Sequence, residues 1–140
     1  MRLVIDANII FAALIKKGLT SELLTSNELQ LFAPEFLLEE IKKYQNLIIE
    51  KMHRSPDDFE HYLRILSEYI IIIPKEEIMP FMESAEKISP DPKDSTYFAL
   101  ALAISSGIWS NDKKLKMDQD KINVFSTSDL LKKMKIIKRK

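Results

Sequence analysis

The chain has 140 residues, 46% of them hydrophobic, with 21 Lys/Arg against 21 Asp/Glu and no cysteine. That length suits one domain with an ordinary core, the composition excludes disorder, and the lack of cysteine excludes disulfide staples and thiolate metal sites. Net neutrality conceals a division: residues 1–112 hold 11 Lys/Arg against 18 Asp/Glu, and residues 113–140 hold 10 against 3, so an acidic body able to gather cations adjoins a basic end that either meets an anionic polymer or is simply solvated.

No basic-then-apolar leader precedes the first apolar run, and the longest purely apolar stretch, residues 69–73, is far short of the ~18–20 residues of a membrane helix, so a cytoplasmic location without membrane association is expected. Residues 2–5 form a short, nearly continuous apolar run. The polar Asp6-Ala7-Asn8 and a second apolar segment, residues 9–15, follow it directly, which reads as buried strand, loop and helix. Lys16-Lys17-Gly18 stops that helix, and Thr20 or Ser21 is positioned to cap a second. Residues 29–33 are the next strand. Pro34 fits the first turn of a helix reaching about residue 52, with Leu37, Leu38, Ile41, Tyr44, Leu47 and Ile48 as its apolar face. Ser55-Pro56-Asp57-Asp58 carries the marks of a capped helix start. The isoleucines at 70–73 predict a buried central strand closed by Pro74, and residues 76–88 a helix interrupted at Pro80. Residues 89–94 are turn chemistry, and the alanine-rich residues 97–104 a buried helix. Two short strands at 107–110 and 122–125 precede a last helix running from Asp129 toward Ile136, capped by Thr127 or Ser128.

Strands alternating with helical lengths indicate an α/β fold with a parallel sheet covered on both faces, organised as one domain over residues 1–131 with a basic C-terminal tail at 132–140. In such sheets function gathers beyond the carboxyl ends of the strands. Asp6 and Asp112 both fall there, each just after a predicted strand. Glu40 lies three residues from Leu37 and four from Tyr44, on the core-facing side of its helix, whereas Glu39 points about 100° away toward solvent. A carboxylate near a core stripe requires a cation, a hydrogen-bond network or a metal. Asp94 stands at the start of the alanine-rich helix, where it serves equally as a cap; Asp91 is a second candidate. Four carboxylates from separated segments meeting in one crevice would be tolerated chiefly through divalent cations, and hard oxygen donors select Mg²⁺ or Mn²⁺ over zinc. His53 and His61 lie in charged helical surroundings and read as surface residues.

The ordered segments Val4-Ile5-Asp6-Ala7-Asn8, Pro34-Glu35-Phe36-Leu37-Leu38-Glu39-Glu40-Ile41, Asp94 leading into Phe98-Ala99-Leu100-Ala101-Leu102, and Ile108-Trp109-Ser110-Asn111-Asp112 together resemble the PIN-domain nucleases, which include VapC-type toxins of toxin–antitoxin pairs. Phe125-Ser126-Thr127-Ser128-Asp129-Leu130-Leu131 matches their usual last strand and helix, so the resemblance spans essentially the whole chain. It implies a three-layer α/β/α sandwich around a five-stranded parallel sheet and Mg²⁺- or Mn²⁺-dependent cleavage of single-stranded RNA, leaving 5′-phosphate and 3′-hydroxyl ends. By the same resemblance Asp6, Glu40, Asp94 and Asp112 take the acidic metal-binding positions, and Asn8 and Ser110 the polar auxiliary ones. Lys113 and Lys114 stand where some members carry a further acid. Homodimers and a small antitoxin whose tail enters the acidic groove are implied partners. Two other readings are a PIN-like module that binds RNA or protein without cutting it, and a receiver domain, whose acidic pair after the first strand is missing here because Asp6-Ala7-Asn8 offers one acid.

Overall fold

The computed structural model describes residues 1–16, 18–53 and 55–139, the last five as backbone. Its centre is a parallel sheet of β1 (Arg2–Ile5), β2 (Gln30–Pro34), β3 (Ile70–Ile73), β4 (Gly107–Trp109) and β5 (Val124–Phe125), in the order β3-β2-β1-β4-β5. Side chains alternate between faces along a strand, and the two cores follow that period. Leu3, Ile5, Leu31, Ala33 and Trp109 enter one core, packed against α1 (Ala7–Ile15), α2 (Leu19–Leu24), α3 (Phe36–Met52), α4 (Pro56–Ser67) and α9 (Thr127–Arg139). Val4, Phe32, Ile108 and Val124 enter the other, against α5 (Lys75–Ile78), α6 (Met82–Ile88), α7 (Ser95–Ile104) and α8 (Lys113–Met117). This is a three-layer α/β/α sandwich. Leu3, Val4 and Ile5 are at most 1% exposed; full burial of such a side chain contributes about 1.5–3 kcal/mol, which makes β1 a stiff base for the residue that follows it. Among the described residues no helix is long and apolar enough to cross a membrane.

Most predicted elements form, with instructive differences. The isoleucine strand is an edge strand, paired only with β2, and Ile71 is 49% exposed; a β-branched run specifies a strand, but crossover connectivity decides its place in the sheet. Pro34 ends β2, where its missing N–H costs little, and α3 begins at Phe36. Gly18, rather than Thr20 or Ser21, occupies the N-terminal cap of α2. The last helix starts earlier than expected, through a reciprocal capping box: Ser126 Oγ accepts the Asp129 amide (3.0 Å) and Asp129 Oδ2 accepts the Ser126 amide (2.9 Å). The helix continues past 131, with Met134 buried in the core, so residues 132–134 are an integral part of α9. Leu38, Tyr44 and Leu47 of the expected apolar face of α3 are exposed; its buried stripe is Leu37, Ile41, Ile48 and Met52. His53 and His61 are exposed, as expected.

Candidate functional site

The strand order turns at β1, which pairs with β2 on one side and β4 on the other, so the crevice of this fold opens beyond the ends of β1 and β4. Asp6 emerges there. Its Oδ1 accepts the Ile9 amide at 3.2 Å, capping α1, and the side chain is only 5% exposed. Burial pushes its carboxyl above the ordinary value; hydrogen bonds from Ser110 and from the Ile9 and Asn8 amides oppose that, and the charge of Asp112 adds to it. Register explains the Ser110 bond. Ile5 pairs with Trp109, which sets the next residues, Asp6 and Ser110, side by side.

Ser110 is 2% exposed, and its Oγ also accepts the Asp112 amide at 3.1 Å. One hydroxyl, donating once and accepting once, thereby ties two acidic segments together. Asp112 itself is exposed and caps α8, its Oδ1 accepting the Lys114 amide at 2.9 Å. The loop carrying it is clamped to the start of α9. Asn111 Oδ1 accepts the Thr127 amide (2.8 Å), while Asn111 Nδ2 and Trp109 Nε1 both donate to Thr127 Oγ1 at 3.1 Å. Thr127 thus serves the site loop rather than capping its own helix.

Glu40 enters from the second turn of α3, half-buried beside the stripe of that helix. Asp94 occupies the cap position of α7 yet makes no capping hydrogen bond, so its carboxylate is free for other work. Burial first, then the charges of Asp91, Asp6, Asp112 and Glu40, push that carboxyl up to about 6. Asp91 behaves as an ordinary cap, accepting the Lys93 amide at 2.9 Å. Among the described residues the one ion pair is Lys116 with Asp129, and it holds the Asp129 carboxyl down at about 2. Asp6, Glu40, Asp94 and Asp112 have no such partner.

These four carboxylates line a single groove of about 430 Å³, with the exposed Asn8 at its edge. Apolar and aromatic side chains, Phe11, Ile15, Tyr44, Leu47 and Tyr97 among them, line the same groove, together with Lys51 and Lys93. Tyr44 and Leu47 are exposed because their stripe of α3 faces this groove instead of the core. No three acidic side chains of the described residues stand close enough, as placed, to ligate one ion. The donor set nevertheless consists of carboxylate oxygens alone, which suits a hard divalent cation, and accumulated negative charge already burdens Asp94.

A family model of the PIN domain matches residues 4–135 of this chain. The chain belongs to the PIN-domain family. Its fold is similar to that of a toxin–antitoxin complex from Klebsiella pneumoniae, with a TM-score of 0.65 and 14% identity over 89% of this chain and 97% of that one. Among curated proteins no relative matches. PIN domains are generally nucleases that use divalent metal ions, and all six predicted site residues of this PIN domain, Asn8 and Ser110 included, lie in or directly behind its acidic groove. Sequence reasoning gave no site role to Tyr97 or Asn111, and it read Thr127 only as a helix cap. The Trp-Ser-Asn-Asp run held the signal for Asn111, but its partner Thr127 is sixteen residues away and becomes visible only in three dimensions.

Proposed function

We propose that this PIN domain is a Mg²⁺- or Mn²⁺-dependent endoribonuclease that hydrolyses phosphodiester bonds in single-stranded RNA. The observation that carries the reading is Asp94: a half-buried carboxylate at a helix start that caps nothing and is raised to about 6 in the company of Asp91, Asp6, Asp112 and Glu40. Such a cluster is costly without cations and well suited to them. Asp6, Glu40, Asp94 and Asp112 would hold one or two ions. A divalent ion, when bound, supplies an activated water near neutral pH and stabilises charge on the phosphate and the departing oxygen. Ser110 keeps the Asp6 carboxylate and the Asp112 loop in mutual register, and the Asn8 amide supports the same carboxylate. Lys51 and Lys93 offer positive charge to phosphates that flank the scissile one.

The toxin of a toxin–antitoxin pair is the biological role we attach to this chemistry, because the groove combines acidic with apolar and aromatic lining able to receive the tail of a small antitoxin. The structural likeness to a toxin–antitoxin complex supports that partner. Homodimer formation and a cytoplasmic setting belong to the same proposal. The test is Mg²⁺-dependent cleavage of a mixed single-stranded RNA pool by the wild type and by Asp6→Asn. Loss of cleavage on substitution and in EDTA, with 5′-phosphate product ends, supports the nuclease. Undiminished cleavage by the variant removes Asp6 from the site, and RNA binding without any cleavage by the wild type favours the non-catalytic module.

A further inference from the structure

Two buried side-chain hydroxyls among the described residues have no hydrogen-bond partner, those of Ser95 and Tyr97. Their surroundings differ. Ser95, the first residue of α7, does not reach the groove, whereas Tyr97, 3% exposed, lines it. The Tyr97 ring is held edge-on against Phe36, with centroids 6.0 Å apart at 69°, within the apolar cluster under Val4 and Phe32. Its hydroxyl is therefore carried by a well-packed helix at the groove that the carboxylates line. Burial raises its pKa, and the charges it senses most are Asp6 and Glu40, followed by Asp94; the Ala7 amide at the start of α1 approaches its oxygen and opposes that rise without the geometry of a full hydrogen bond, and the hydroxyl proton has no acceptor.

For packing alone a phenylalanine would serve better here, since a buried hydroxyl without a partner loses its hydration and gains nothing in return. What the hydroxyl adds is one donor proton at a groove whose acidic lining, Asp6, Glu40, Asp94 and Asp112, offers acceptor oxygens. As placed, no three of the acids are close enough to share an ion; binding one would draw their oxygens inward, and carboxylates that ligate ions depend on outer hydrogen bonds for their orientation. We propose that Tyr97 is a positioning residue whose hydroxyl donates a hydrogen bond to the Asp6–Glu40 side of the cluster when a divalent ion is bound. This rests on the reading of the groove as an ion-dependent centre.

The experiment compares the full-length wild type with Tyr97→Phe, which keeps the ring and removes only the hydroxyl. Thermal unfolding in EDTA and calorimetric titration of the ion-stripped proteins with Mn²⁺ are measured side by side. The expected result is an unfolding midpoint in EDTA that is unchanged or raised, together with a Mn²⁺ affinity weakened about tenfold, the usual scale for losing a bond to a ligating group. Unchanged Mn²⁺ affinity would overturn the role of Tyr97 while leaving the ion centre standing. A lowered midpoint in EDTA would also overturn it, because the hydroxyl would then be bonded within the ion-free fold. Absence of Mn²⁺ binding by the wild type would overturn the ion centre and this proposal with it.

Discussion

At the scale of single residues the site depends on what each polar group is already committed to. Asp6 and Asp112 were legible because the first directly follows β1 and the second comes three residues after β4, and strand ends define the crevice of a parallel sheet. The decisive property of Asp94, that it sits at a helix start without capping it, is a matter of backbone angles and rotamer that residue order does not carry. Tyr97 was invisible for a related reason: an aromatic residue in an alanine-rich helix reads as core, and its ring is indeed core, while its hydroxyl belongs to the groove. Asp94 sets a pH signature in the ion-free protein. Its folded value of about 6 lies above the ordinary 3.8, so the folded state holds the extra proton, and the associated stability is complete below about pH 4 and lost as pH rises through 6. Asp94→Asn in EDTA should match the wild type near pH 4 and exceed it at pH 8 in unfolding midpoint; a lower midpoint at pH 8 would reject that environment. Ser110→Ala leaves the buried Asp6 short of a donor and should cost about 1–3 kcal/mol in urea unfolding, with cleavage reduced about 10–100-fold.

At the scale of elements, local chemistry announced most helices and strands but not their order. The Ser55 cap was readable and forms, with its Oγ accepting the Asp58 amide at 3.2 Å. The four isoleucines were equally readable as a strand, yet nothing in them said edge or centre, since that follows from which helices cross which face. The exposed side of α3 misled for a functional reason: Tyr44 and Leu47 satisfy the helical apolar period while facing the groove. Gly107 shows how tightly the site-bearing strand is fitted. A Cβ there would lie 2.8 Å from the Asn123 carbonyl oxygen and 2.9 Å from the Phe125 ring. Gly107→Ala should therefore push β4 and β5 apart and cost about 1–3 kcal/mol, as overpacking does. Because Ser110 and Asp112 continue from β4, the same variant should lose Mn²⁺ affinity; an unfolding midpoint equal to that of the wild type would show that β5 gives way freely.

At the scale of the whole molecule, the balanced charge divides at the site itself, because the basic last fifth of the chain begins one residue after Asp112. Lys132 and Lys133 are exposed on α9, and Lys133 lies over the Phe125 ring at 5.2 Å from its centroid. With Lys116 they line a cleft along β5, separate from the acidic groove, which gives the molecule a cationic surface able to hold a polyanion that the groove alone would repel. RNA binding by the uncleaving Asp6→Asn protein should weaken with salt, at about −0.7 in the log–log slope per phosphate contacted. Reversing Lys132 and Lys133 to glutamate should flatten that slope; an unaltered slope would place the RNA elsewhere. The central claim is that four carboxylates from four segments form one ion-dependent centre. Its most direct test is anomalous diffraction from a Mn²⁺-soaked crystal. The account predicts a peak in the groove ligated by at least two of Asp6, Glu40, Asp94 and Asp112, and a groove without a peak at saturating Mn²⁺ would contradict it.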